Sequence, residues 1–394
     1  MTAIINRHYH LFHEEASGTH IGFTINLTTA ATSPTTCIVF DSDSDITTVA
    51  DGYLWAYGMC TPSVVANGTL NYKLNKQNLA QKEDGTASNL TGTDGDVCMS
   101  LAPMWWKAST VNGNPHYDVW DYNPGISDTM TAHKFNGTIR RYLHYGMFNM
   151  SGSGGNSVYS TSATPYSNIT HDTARGVAEA RGATYGGMTH LSWEAYKLLC
   201  MIASGSTNCQ TTIGQDYTES DDCEPCTVST SAMLTANGYT SSTASSASTS
   251  LMYLFLANPW GNVYDWLYGL KLVNGTLAVA TDQADARGVA VNDSIPSTWT
   301  TITKGFTSGG YVTNVLATNA APLFPSAIGG SSSTYFCDYG YIQSNTSNKY
   351  CARVGGYYGD DANAGLFCVI VNYSSSGAYD YLGARLQILD TQTV

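Results

Sequence analysis

The apolar residues of this 394-residue chain occur in short runs that Gly, Asn, Asp and Ser interrupt. The run Ile21–Leu27 alternates with the period of two that a half-buried strand requires, and Cys37–Phe40 and Tyr53–Tyr57 are further strand candidates. Val97–Lys107 is predicted to be a strand that ends on two tryptophans. Runs this short, separated by turn residues, predict a chain rich in β-sheet.

One segment has the spacing of a helix. Its apolar residues recur at helical intervals: Trp193, Tyr196, Leu199 and Cys200. Ser192 is the predicted N-cap, Glu194 suits the positive end of the helix dipole, and the helix is expected to end near Ser204. One or two helices among many strands predict the α+β class.

A polar stretch at residues 81–96 suggests a division of the chain. We predict a small β-rich N-terminal domain at 1–95 and a second domain at 96–394. Ser, Thr and Gly dominate residues 150–170 and 227–250, which predicts long loops, the second within an insertion near 210–250.

Charge excludes two classes of partner. Only 12% of the residues are charged and the net charge is −13. The 17 Lys and Arg are spread along the whole chain, whereas binding to phosphates needs clustered cations, so we expect neither nucleic acid nor an anionic membrane as a partner. No apolar run approaches the roughly 18 residues of a membrane-spanning helix. The first residues lack the order of a signal peptide, so we expect folding in a cytoplasm.

The candidate metal-binding and thiol residues match the spacing of known motifs only weakly. His8, His10 and His13 do not have the spacing of a zinc site and fit a polar N-terminal strand. Cys223 and Cys226 form a lone CxxC, which we interpret as a loop, with a local disulfide only in an oxidising environment. The other eight cysteines are spaced singly and are expected to be buried free thiols.

Catalytic signatures are missing from the sequence. It contains no serine nucleophile elbow, phosphate-binding glycine loop or dinucleotide fingerprint. The acidic groups at Asp41–Asp45 and Asp360–Asp361 lack the loop spacing of an EF-hand. We therefore predict no enzyme activity, no cofactor and no metal. The stretch Gly355–Tyr381, rich in Tyr, Asp and Ser, instead indicates an adaptable binding surface.

Three segments carry a resemblance to a known family. They are Leu191–Gln210, which includes Leu-Ser-Trp-Glu-Ala-Tyr-Lys-Leu-Leu-Cys, then Asn258–Leu270, and finally Gly329–Leu386 with its Gly-Gly-Tyr-Tyr-Gly-Asp-Asp motif. In this order they resemble the variable proteins of diversity-generating retroelements, particularly those encoded by gut phages. That family has a C-type-lectin-like fold, shared with formylglycine-generating enzymes, whose Trp-Gly-Asn-Val-Trp-Glu-Trp motif the second segment resembles. The resemblance covers residues 97–390 and implies this fold, preceded by the small N-terminal domain.

The resemblance implies a receptor-binding protein at a phage tail tip. It would be part of the virion after folding in the host cytoplasm, form a homotrimer, and contact other tail proteins through residues 1–95. Its partner would be a host cell-surface receptor, either protein or glycan. Two alternatives are a bacterial surface-displayed protein on the same fold, and a formylglycine-generating-type enzyme that uses Cys337, Cys351 or Cys368.

Adenine-directed variation leaves a trace that the sequence can be checked for. An AAC codon randomised at both adenines never encodes Lys, Glu, Gln, Met or Trp. These five types supply 43 of the 394 residues, yet none occurs from Tyr350 to Leu386. The gap fits variation in this stretch, although a compact β region that excludes long side chains would also produce it.

The family pattern assigns positions within this stretch. The scaffold positions are Gly355, Gly356, Ala364, Gly365, Phe367, Ser374, Ser375, Gly383, Ala384 and Arg385. The implied ligand-binding surface consists of Tyr357, Tyr358, Gly359, Asp360, Asp361, Cys368, Ile370, Asn372, Tyr373, Gly377, Tyr379, Asp380 and Tyr381. Among these, Tyr358 stands where Trp is common in the family, and Asp361 stands where Gly is common. Strand alternation predicts that residues 368, 370 and 372 are exposed while Val369 and Val371 fill the core.

Overall fold

The computed structural model describes residues 18–153, 158–225, 250–374 and 376–394. The three N-terminal histidines, Cys226 and most of the predicted insertion near 210–250 lie outside these ranges. Within them the chain forms 25 strands and six α-helices, which confirms a β-rich α+β protein. No helix in these ranges is long and apolar enough to cross a membrane.

The strands are β1 (His20–Ile25), β2 (Ile38–Phe40), β3 (Cys60–Ala66), β4 (Thr69–Asn75), β5 (Asn78–Lys82), β6 (Asp96–Leu101), β7 (Trp105–Val111), β8 (Asn114–Trp120), β9 (Lys134–Phe135), β10 (Thr138–Ile139), β11 (Leu143–Gly152), β12 (Val158–Ser160), β13 (Tyr185–Gly187), β14 (Met252–Tyr253), β15 (Leu256–Ala257), β16 (Tyr264–Val273), β17 (Thr276–Val279), β18 (Thr300–Thr301), β19 (Gly309–Val315), β20 (Pro325–Ile328), β21 (Tyr339–Ile342), β22 (Lys349–Gly355), β23 (Gly365–Tyr373), β24 (Leu382–Gly383) and β25 (Arg385–Leu389). The helices are α1 (Leu27–Ala30), α2 (Val49–Met59), α3 (His171–Glu179), α4 (His190–Ser204), α5 (Cys209–Thr212) and α6 (Gln283–Ala286).

Three sheets contain most of these strands. A four-stranded sheet has the order β2-β1-β8-β7. An eight-stranded sheet has the order β13-β25-β11-β6-β3-β4-β5, with β12 paired to β11. A nine-stranded sheet has the order β18-β17-β16-β22-β23-β21-β19-β20, with β24 parallel to β16. The tyrosine-rich stretch of the sequence belongs to this third sheet and to the loops at its end.

The predicted boundary at residue 95 falls within a shared sheet. Strand β3 pairs with β6 over residues 60–65, and the same sheet continues through β11 to β25 near the C-terminus. The main apolar core likewise runs from Ile21 to Leu389. Residues 18–95 therefore have neither a sheet nor a core separate from the rest of the chain, because their apolar faces pack against strands that follow much later.

The first two predicted strands are confirmed as β1 and β2, whereas the prediction for Tyr53–Tyr57 is wrong. These residues lie in helix α2, whose N-cap Thr48 accepts a hydrogen bond from the Asp51 N–H at 3.2 Å. Helix α2 packs against α4 so closely that a Cβ on Gly52 would lie 2.4 Å from the Ile202 carbonyl oxygen. Most of the helix is buried, so no polar face revealed its period.

The remaining local predictions are right in part. Val97–Lys107 forms two strands rather than one, because the chain leaves the eight-stranded sheet after Leu101 and enters the four-stranded sheet at Trp105. The predicted helix exists as α4, but its N-cap is Thr189, whose Oγ1 accepts from the Ser192 N–H at 3.3 Å. Its predicted end is confirmed by Gly205, which takes the left-handed φ of 65° that terminates many helices.

The Gly205→Ala substitution is expected to destabilise the protein by about 1–2 kcal/mol, because an L-residue is strained at positive φ. Its Cβ would also lie 2.4 Å from Val49 Cγ2. Gly58→Ala in α2 is the control, since its Cβ meets no atom within 4 Å and alanine favours a helix. Denaturant unfolding measures both variants, and equal stability of Gly205→Ala and the wild type would contradict the assignment.

Candidate functional site: a tyrosine cluster on the nine-stranded sheet

Adjacent strands of the nine-stranded sheet support the predicted surface. Strand β22 lies between β16 and β23, so that Arg353 is paired with Trp266 on one side and with Ile370 on the other. The loop from β22 to β23 carries Tyr357 and Tyr358. The segment between β23 and β24 carries Tyr379 and Tyr381. Strand pairing thus places residues that are distant in sequence at one end of one sheet.

Glycines shape the loop that follows β22. Gly355 and Gly356 have φ of 91° and 86°, and a Cβ on Gly356 would lie 2.5 Å from the Ala364 Cβ. Both were predicted scaffold positions. Asp361, at a position where Gly is common in the family that the sequence resembles, has a φ of 49°. Asp is among the few residue types that tolerate this conformation, so the departure keeps the turn.

Non-local hydrogen bonds hold the same loop. The Ser220 N–H donates to the Tyr358 carbonyl at 2.7 Å, and the Asp361 N–H donates to the Thr218 carbonyl at 2.8 Å. The Gln210 side chain donates to the carbonyls of Asp361 at 2.9 Å and Ala364 at 2.8 Å. The loop backbone is therefore fixed by residues outside the predicted variable stretch, and its side chains can change without loss of these bonds.

Six tyrosines meet ring to ring at this end of the sheet. We call them the tyrosine cluster: Tyr264, Tyr357, Tyr358, Tyr373, Tyr379 and Tyr381. The Tyr357 ring lies 4.7 Å from Tyr381 and 5.6 Å from Tyr264. The Tyr379 ring stacks on Tyr381 at 5.2 Å, and the Tyr373 and Tyr381 hydroxyls are hydrogen-bonded at 2.6 Å. Such ring pairs add to the energy of area burial and hold the cluster in shape.

Arg353 lies within the cluster. Its guanidinium carbon is 3.7 Å from the Tyr373 ring centre and 4.5 Å from that of Tyr264, so two aromatic faces contact the cation. Only 7% of the residue is exposed. Its Nε and Nη1 atoms are buried and have no hydrogen-bond partner among the described residues.

Carboxylates border the cluster. Burial raises the pKa of Asp360, and hydrogen bonds from the Tyr264 hydroxyl and the Tyr357 N–H partly offset that rise. The Tyr357 N–H lies 3.2 Å from Asp360 Oδ2. Burial and the nearby Asp380 carboxylate raise the pKa of Tyr358 to about 12, so this hydroxyl stays protonated. The edge of the tyrosine cluster is therefore acidic, whereas the cation Arg353 lies beneath the rings.

The predicted surface residues differ in exposure. The exposed ones are Gly359, Asp361, Tyr379 and Asp380. The half-buried ones are Tyr357, Asp360, Asn372, Tyr373, Gly377 and Tyr381. The buried ones are Tyr358, Cys368 and Ile370.

The predicted exposure of Cys368 and Ile370 is therefore wrong, although the predicted alternation is right. Val369 and Val371 lie in the main core. Cys368 and Ile370 point to the other face, where a second apolar cluster includes them and tyrosines pack over it. Only the third residue of that face, Asn372, reaches the surface in part. Both faces of the strand are covered because this sheet lies inside the molecule.

Two members of the site were missed from the sequence: Tyr264 and Arg353. Tyr264 belongs to the Asn258–Leu270 segment, which was read only as a family motif. Arg353 had a signal that could have been used, since it and Arg385 are the only cations from residue 350 to the end of the chain. Their contacts depend on strand pairing, which composition does not reveal.

The cysteines near this face are poorly placed for chemistry. Cys351 and Cys368 are buried, and burial raises the pKa of both thiols above its ordinary value. Cys337 borders a polar cleft of about 460 Å³, and burial raises its pKa to about 12. Over the described ranges, no group of three or more His, Cys, Asp or Glu is arranged to hold a metal ion.

No protein-family model matches this chain, and no curated protein is significantly similar to it.

The burial difference within the predicted surface gives a test. Ile370→Ala is expected to lower the free energy of unfolding by about 2–5 kcal/mol, because it leaves a cavity under the tyrosines. Tyr379→Ala, at a residue 47% exposed, is expected to cost less than about 1 kcal/mol. Urea unfolding compares the two, and similar losses for both variants would contradict the division into a buried layer and a surface.

Proposed function

We propose that this chain is a receptor-binding protein whose tyrosine cluster contacts the partner. The observation that carries the proposal is the cluster itself, in which six tyrosines from three segments meet at the end of one sheet. Tyrosine supplies large contact area at low entropic cost and is enriched among residues that dominate binding energy. Exposed Tyr379 and Asp380 lie where a partner can reach them.

The resemblance to retroelement variable proteins supplies the biological setting of this proposal. In that setting the chain has a C-type-lectin-like fold and works in the virion at a phage tail tip, as a homotrimer joined to other tail proteins. It is folded in the host cytoplasm and binds a host cell-surface receptor. The glycine turns and the non-local backbone hydrogen bonds of the loop support this reading, since such a scaffold can keep its backbone while its surface residues change.

Binding is favoured over catalysis at this face. A reactive cysteine needs a thiolate and access to the substrate. Burial raises the pKa of Cys337, Cys351 and Cys368, which disfavours the formylglycine-generating alternative. The alternative of a bacterial surface-displayed protein would use the same binding surface. Its genes would lie in a different genomic neighbourhood from those of a phage tail protein, which distinguishes the two.

Labelled protein incubated with a panel of intact gut bacteria tests the proposal by flow cytometry. We expect the double variant Tyr379→Ala/Tyr381→Ala to weaken binding at least about tenfold, the loss that corresponds to about 1.4 kcal/mol. Tyr122→Ala, at a tyrosine 40% exposed outside the cluster, is the control and should bind as the wild type does. Undiminished binding by the double variant would contradict the proposal.

The coding DNA tests the retroelement setting separately. We expect a reverse-transcriptase gene nearby, with a near-copy of the codons for residues 350–386 that differs only at adenines. Codons derived from AAC end in cytosine, so Tyr357 and Tyr379 should be encoded by TAC and Ile370 by ATC. Other codons at these three positions would contradict diversification, while the binding proposal would remain.

A further inference from the structure

Arg353 is a buried cation whose donors are not satisfied. A guanidinium has five N–H donors, and a buried donor without an acceptor costs free energy. The faces of Tyr264 and Tyr373 contact its charge but leave Nε and Nη1 without partners among the described residues. No ion pair of the described chain includes it. A ligand that displaces the covering side chains and brings acceptor oxygens would satisfy these donors.

The border of the cluster offers the opposite chemistry. Asp360 is half-buried beside Tyr264 and Tyr357, and Asp380 is exposed beside Tyr358. When ionised, these carboxylates only accept hydrogen bonds. A ligand that spans the cluster therefore meets acceptors at its edge and donors at its centre, within a few side chains of each other.

This arrangement selects among ligand charges. A cationic ligand would be repelled by Arg353 at the centre, and an anionic ligand would be repelled by Asp360 and Asp380 at the edge. A neutral ligand rich in hydroxyl groups avoids both penalties, because each hydroxyl both donates and accepts. The C–H face of a sugar ring also provides apolar surface that can pack on tyrosine rings.

We propose that the tyrosine cluster binds a neutral hexose unit of a surface glycan, with Arg353 donating to its hydroxyl oxygens and Asp360 and Asp380 accepting from its hydroxyl groups. The proposal rests on the proposed function and names the chemical class of the receptor. The half-buried Tyr373 ring covers the guanidinium, so this ring turns aside when the sugar binds. Tyr357, Tyr379 and Tyr381 supply the stacking surface.

An array of immobilised trisaccharides tests the ligand class. It carries neutral trimers of glucose, galactose and mannose beside tri-galacturonate and sialyllactose. We expect binding to a neutral trimer, and a loss of about tenfold or more in Arg353→Met, which keeps the stem but removes the donors. Arg353→Met should fold, since replacing a buried unpartnered charge by an apolar side chain is not destabilising. Thermal unfolding checks that this variant is folded.

Arg141→Met is the control, at an exposed arginine outside the cluster. It should bind the neutral trimer as the wild type does.

Preferential binding to the two acidic trimers, or unchanged neutral binding by Arg353→Met, would overturn the inference. Bacteria that bind the protein provide a second readout, after treatment with periodate, which cleaves vicinal diols, or with protease. Loss of cell binding after periodate alone supports the glycan. Loss after protease alone, with no trimer bound, means a protein receptor and overturns the inference while the proposed function stands. Failure to bind either the array or any cell overturns both.

Discussion

The buried pair of Arg385 and Asp265 joins the elements on which the tyrosine cluster depends. Arg385 is fully buried, and its Nε donates to Asp265 Oδ2 at 3.1 Å. Nη1 donates to the carbonyls of Gly146 and Met147 at 3.1 and 3.0 Å, and Nη2 to those of Ala257 and Asn258 at 2.9 and 2.8 Å. Each of the five donors has an acceptor, which a buried charge requires if it is not to destabilise the fold. Strands β25, β11 and β16 meet at this one side chain, and Tyr264 directly precedes Asp265 in β16.

Arg385 and Arg353 are both buried but differ in whether their N–H donors are satisfied. Both arginines are more than nine-tenths buried, and both come from the last 45 residues of the chain. The irregular register between β11 and β25 lies where the carbonyls of Gly146 and Met147 turn toward Arg385. Arg353 also lies beside register shifts, between β22 and β23, but no carbonyl of the described residues accepts from its Nε or Nη1, and its main contacts are the faces of Tyr373 and Tyr264. The N–H groups of Arg353 Nε and Nη1, which have no acceptor among the described residues, are the donors that the proposed ligand would use.

Local rules were sufficient to predict the glycine turns of the β22–β23 loop and the end of one helix. The left-handed turn at Gly355 and Gly356 depends on glycine alone, and the end of α4 depends on Gly205. Prediction from the sequence failed where contacts between residues far apart in the chain determine the local structure or the burial. Helix α2 forms against α4, from which it is separated by 130 residues, and Ile370 is buried because β21, β22 and the tyrosines surround it. Strand parity predicts which residues share a face but not whether another layer covers that face.

Burial of Cys368 and Ile370 divides the positions of the implied variable surface into two kinds. Ile370 lies directly across from Arg353 in the ladder, and Cys368 is in the same buried cluster. A polar residue at position 370 would be buried among apolar side chains, which disfavours the fold. An apolar residue of different volume at either position would shift the side chains above it. Tyr379 and Asp380 are exposed, so changes there leave the buried layer in place and alter only the outer contacts with Tyr373, Tyr381 and Tyr358. If these positions vary as the resemblance implies, packing constrains Cys368 and Ile370 more than Tyr379 and Asp380. A change in the buried layer would then act on the proposed binding surface by moving Arg353 and the tyrosines that contact it.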